Sequence, residues 1–163
     1  MRTKLLIGII SIFLFFIGFN NYQNFLSFFL GFIPKLVIQY RTLSAQVSQS
    51  FFFGLTLSLI PILSLIVWSK FKIQHNRIKI YIILLFLASF IITSSARTLV
   101  LKFISQRPFN TVAILKDVNT IEPGNSVYEG ESLNYNLYIF VGEILTFIFL
   151  YFILKKKSNI NRI

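Results

Sequence analysis

One acid sits where acids are rare. In YNLYIFVGEILTFIFLYFILKKK, Tyr135 to Lys157, Glu143 is the only charged residue before Lys155. An ionisable group near the middle of an apolar run costs about 2.5–3.5 kcal/mol on insertion scales, so Glu143 is expected to face protein or water rather than lipid. Three chemistries are open to it. As a neutral acid it would donate a hydrogen bond across a helix interface, as a carboxylate it would pair with a cation on a partner subunit, and as an exchanging group it would hold a proton or cation. At helical spacing Asn136, Glu143 and Thr146 fall on one stripe, the helix-interface polar residues of this run. Arg97 is the one nearby candidate for a counter-charge. It lies about ten residues from the centre of its own run, about 15 Å along a helix, so pairing would require a shifted or tilted helix.

Other reactive residues are few. His75 is the sole histidine, Asp117 the sole aspartate, and there is no cysteine. A Ser-His-Asp relay would need Asp117 to reach His75 across the membrane, and thiolate nucleophiles, disulfides and thiolate metal sites are excluded outright. An intramembrane aspartate pair, as in lipoprotein-processing proteases of this length, is likewise impossible. LKFISQRP places Lys102 near Arg107 and Pro108, but not at the spacing of lipid-phosphate phosphatases, whose later histidines are also missing. Glu122, Asn125, Glu129 and Glu131 carry oxygens for a hard cation but match no calcium-loop spacing. The sequence therefore predicts no catalytic residues, no metal and no cofactor.

The elements that must position Glu143 follow from composition. The 163 residues are 55% hydrophobic, with a mean hydropathy of +0.74 and a net charge of +11, a mixture that a soluble domain of this size could not hide from water. The basic residues lie in short clusters between apolar runs rather than on a polar face, so nucleic acid is not the expected partner; the lipid bilayer is. Spanning a bilayer takes about 20 apolar residues. Runs at about 5–25, 51–68, 78–96 and 135–154 meet that need within one domain of residues 1–163, leaving loops 26–50 and 97–134. Arg2 and Lys4 precede the first run without a small-residue cleavage site after it, which reads as an uncleaved anchor.

Orientation comes from lysine and arginine. Arg2, Lys4, Lys70, Lys72, Arg77, Lys79, Lys155, Lys156, Lys157 and Arg162 flank one side, ten of the 16 basic residues, with none of the five acids among them. The positive-inside rule then predicts a multi-pass protein of the cytoplasmic (inner) membrane with both termini cytoplasmic. Two outer segments read as amphipathic helices: residues 25–41, interfacial or re-entrant, and TLVLKFISQ, residues 98–106, ended by Pro108. EPGN fits a type II turn between the β-prone stretches VNTI and SVY. The expected fold class is an all-α integral membrane protein of four transmembrane helices, two extracytoplasmic amphipathic segments and a short outer loop. Small and polar residues at Gly8 and Ser11, Gly54 and Ser58, and Ser89 and Thr93 form seams on which helices can approach closely. With contact features and one intramembrane acid, the expected function is a non-catalytic subunit or assembly factor of a larger membrane complex. The alternative is a small oligomeric transporter or channel using Glu143.

Overall fold

The computed structural model describes residues 2–33, 36–105 and 126–160. Four helices, α1 Arg2–Leu30, α2 Leu43–Lys70, α3 Asn76–Ser105 and α4 Tyr135–Ile160, make up nearly all of it. Each contains a stretch long and apolar enough to cross a membrane, as expected of a multi-pass membrane protein. They run antiparallel in sequence order, which brings the loop at residues 71–75 and the outer ends of α1 and α4 to one side, the terminal side. Residues 31–33, 36–42 and 126–134 share the other, the loop side.

The helices outrun the apolar runs that announce them. Hydropathy marks only what must lie in hydrocarbon, whereas a helix stops where its backbone finds other partners. Thus α2 begins at Leu43, inside the predicted loop 26–50, because the Thr42 side chain accepts the Ala45 N–H at 3.1 Å and caps it. At its other end α2 stops at Lys70, where the chain turns through Lys72 in a left-handed conformation.

The expected helix over residues 25–41 is corrected, and the expected helix at 98–106 is no separate element. Residues 25–30 are the last turns of α1, which ends with Gly31 N–H bonding Ser27 O at 3.0 Å and Ile33 N–H bonding Leu30 O at 2.8 Å. LVIQ, Leu36–Gln39, then forms strand β1 rather than helix. Its β-branched residues suit a pleated ladder, and Pro34 two residues earlier cannot supply a helical N–H. Residues 98–105 continue α3 without a break. SVY does become a strand, β2 Ser126–Glu129, but it pairs with β1 in parallel, Leu36 opposite Ser126 and Gln39 opposite Glu129. VNTI, the EPGN turn and Pro108 lie outside the described residues. A short 3₁₀ turn, Gly130–Leu133, and Asn134 in the left-handed region lead from β2 into α4. Asparagine tolerates that conformation better than most residues.

Inside hydrocarbon, apolar side chains gain little by meeting each other instead of lipid, so helices associate by close contact and interhelical bonds. α2 and α3 each touch the other three helices, and α1 meets α4 through Phe25 and Phe29 against Tyr135. The α1–α2 crossing is glycine on glycine. A Cβ on Gly18 would lie 2.9 Å from Gly54 Cα, and one on Gly54 would lie 2.7 Å from the Phe15 carbonyl oxygen. The predicted seam on α2 is therefore used, but its partner on α1 is Gly18; Gly8 has nothing within 4 Å. The predicted α3 seam is also used, since a Cβ on Gly142 would overlap the Thr93 methyl and sit 3.3 Å from Ser89 Oγ.

The buried side chains divide into two clusters. Towards the loop side, aromatic rings dominate: Tyr22, Phe25, Phe53 and Tyr135 interlock with ring centroids 4.5–5.6 Å apart. Towards the terminal side the core is mainly aliphatic, with Ile60, Leu63, Val67, Ile82 and Leu150 around Phe86.

Candidate functional site

Glu143 lies where the two clusters meet. On α4 the inward positions of the loop-side cluster are Tyr135 and Ile139, those of the other are Phe147 and Leu150, and Glu143 follows Ile139 by one turn. Contacts with the neighbouring helices fix its level. Asn136 meets Gln49 of α2, 87 residues away in the sequence, so counting down both helices puts Glu143 level with Thr56. Gly142 against Ser89 and Thr93 puts it level with Phe90 of α3.

The carboxyl group is completely buried at 0% exposure, and neither oxygen has a hydrogen-bond partner. No protein group across a helix interface lies within hydrogen-bond distance of it. The hydroxyls on the adjacent helices are bonded to their own backbones: Thr56 to Phe53 O at 2.8 Å, Thr93 to Ser89 O at 2.8 Å and Ser94 to Phe90 O at 2.7 Å. Ser and Thr satisfy themselves this way in helices, so a small-polar seam permits close approach without offering a partner.

Arg97 is not the counter-charge. Its side chain is buried at the loop-side end of α3, where Nε donates to Leu133 O at 2.7 Å and Nη2 to Ser132 O at 3.2 Å, with the guanidinium 4.8 Å from the centre of the Tyr138 ring. The fork thus satisfies carbonyls of the 3₁₀ turn and stacks on an aromatic face. Beside it, Thr98 and Tyr135 share a 2.7 Å bond between hydroxyls. Sequence distance alone disfavoured an Arg97–Glu143 pair; the carbonyl acceptors could not be read because they are backbone atoms of a loop.

The other stripe residues separate in role. Asn136 is buried and donates Nδ2 to Gln49 O and to Gln49 Oε1, both at 2.9 Å, but its own Oδ1 has no partner. Gln49, which tethers α2 to α4, was hidden from sequence reasoning inside a predicted loop. Thr146 bonds its own helix at Gly142 O, 2.9 Å. The stripe is therefore Asn136 and Glu143 with three orphan acceptor oxygens, while Thr146 is spent locally.

His75 is exposed in the terminal-side loop, far from Glu143. Among the described residues no group of three or more His, Asp or Glu side chains could hold a metal. Asp117 and Glu122 lie outside the described residues. Compared with protein-family models, curated proteins and solved structures, the chain matches none of them.

Proposed function

We propose that this protein is a non-catalytic subunit or assembly factor that docks on a larger membrane protein. The observation that carries this reading is the loop-side cap. The β1–β2 pair joins two loops about 90 residues apart in sequence, and Arg97 ties the following turn to the top of α3. A cap tied to the bundle in this way is suited to presenting a fixed surface to another protein. The residues for chemistry that the composition denies, such as a thiol or a second histidine, are not needed for such a task. The terminal side, with its basic residues, is assigned to the cytoplasm and the cap to the opposite face of the inner membrane. Cysteines introduced singly at Ser126 and Ser158 should label from opposite faces of intact cells; labelling from one face would overturn that orientation.

A second reading, a small transporter or channel, is favoured by one observation, the orphan carboxyl of Glu143. It takes a single bundle as its unit, because Glu143 faces the interior of its own chain and does not line a contact between copies. Purification of the tagged protein in mild detergent separates the two. A larger partner at fixed stoichiometry is expected. Recovery of the chain alone, with Glu143-dependent ion or proton conduction in liposomes, would replace the subunit reading with the second.

A further inference from the structure

The loop-side half of the bundle holds a file of polar groups that the docking role does not use. Asn136 and Glu143 lie on one stripe of α4, seven residues or about 10 Å apart by helical rise. Asn136 is joined to Gln49, which is half-buried at the loop-side end of α2. Three acceptor oxygens on this stripe, one from Asn136 and two from Glu143, are buried and unpartnered. Leaving such groups orphaned is expensive, and a fold that keeps them supplies the missing hydrogen from elsewhere. The simplest donor is a proton on the carboxyl together with water admitted along the stripe. On the terminal side of Glu143 the path closes into Phe147, Leu150 and the aliphatic cluster. Towards the loop side, buried Ile139 of α4 and Phe53 of α2 lie between it and the Asn136–Gln49 pair.

We propose that Glu143 is a proton-exchange site in the bilayer interior, reached from the loop side along the α2–α4 seam through Asn136 and Gln49, with Ile139 and Phe53 together as the gate. In the exchange step the carboxylic O–H bond breaks, its proton passes to a water on the Asn136 side, and a proton from a second water replaces it. No electrons move and no other reactant is required. The ionisable groups facing this interior are Tyr22 from α1, Arg97 from α3 and Tyr135 from α4; α2 contributes none among the described residues. Arg97 is held by Leu133 O and Ser132 O, and Tyr135 by Thr98, so neither is aimed at Glu143. The proposal stands whether or not the chain docks on a partner.

Infrared spectroscopy of the intact protein in lipid tests it, because the carbonyl stretch of a neutral carboxylic acid is distinct from that of a carboxylate and shifts when the acid proton is replaced by deuterium. The expected result is such a band at neutral pH, absent in Glu143→Gln, that shifts after transfer to D₂O while the protein stays folded. Ile139→Ala should speed the shift and Asn136→Leu should slow it, each by about tenfold or more, the scale of a 1.4 kcal/mol change in gating. No band, or a band that shifts only on unfolding, overturns the site; unchanged rates in both variants overturn the route. If Glu143→Gln does not fold, wild-type protein treated with a hydrophobic carbodiimide decides the matter by peptide mapping. Adduct on Glu143 in the folded protein supports the site, and adduct only after unfolding overturns it.

Discussion

The two halves of the bundle are held together by different physics. The terminal-side half is largely aliphatic side chains around Phe86, closed by dispersion contacts. The loop-side half mixes stacked aromatic rings with buried polar groups: Arg97 on two carbonyls, Thr98 on Tyr135, and Asn136 on Gln49. The difference teaches where function can reside. An apolar core in lipid competes only with lipid and asks for shape, whereas a buried polar group must find a partner or a purpose. Glu143 sits at the boundary and has found no partner in either half.

Substitutions can break or sharpen this contrast. The largest expected effect is in the terminal-side half. Phe86→Ala empties a fully buried position and should destabilise the bundle by about 3 kcal/mol, the low end for such deletions because lipid rather than water is the reference. Unfolding in a detergent titration would measure it, and a loss well under half that value would mean that this half is loosely packed.

Next comes the helix crossing between the halves. Gly54→Ala places a methyl against the Phe15 carbonyl, a backbone atom that cannot swing away, and should cost about 2 kcal/mol. Gly8→Ala, which meets nothing within 4 Å, serves as the control and should leave the midpoint unchanged or slightly raised. Equal effects of the two would refute the close crossing.

Glu143→Leu should go the other way. With no hydrogen bond to a protein group to lose, removing the two oxygens should stabilise the bundle by about 1 kcal/mol while abolishing any proton exchange. Destabilisation instead would reveal a partner for the carboxyl and merge Glu143 with the satisfied polar groups of the loop-side half. The smallest effect is expected from Tyr135→Phe, which removes the bond to Thr98 but keeps the ring among its aromatic neighbours; about 0.6 kcal/mol is typical of such bonds in membranes. Amide exchange in residues 130–134 should change little in this variant, because Arg97 still holds the turn.

By itself the sequence determined the number of helices long and apolar enough to cross a membrane, their approximate places and the stripe that carries Glu143, because the length of each apolar run and the helical repeat act on each run separately. It also placed two of the close-packing seams, at Gly54 and at Ser89 with Thr93, since small residues are needed wherever backbones approach. Only the tertiary structure decided the rest. The β1–β2 pair joins two loops whose β-prone stretches are far apart in the chain, and no local pattern specifies a pairing partner at that separation. Arg97 bonds two loop carbonyls rather than the candidate carboxylate, because backbone acceptors exist at every residue and are distinguished only by position in space. The isolation of Glu143 was decided in the same way: Thr56, Thr93 and Ser94 on the facing helices bond their own backbones, so residues of a type able to hydrogen-bond became a smooth surface for packing.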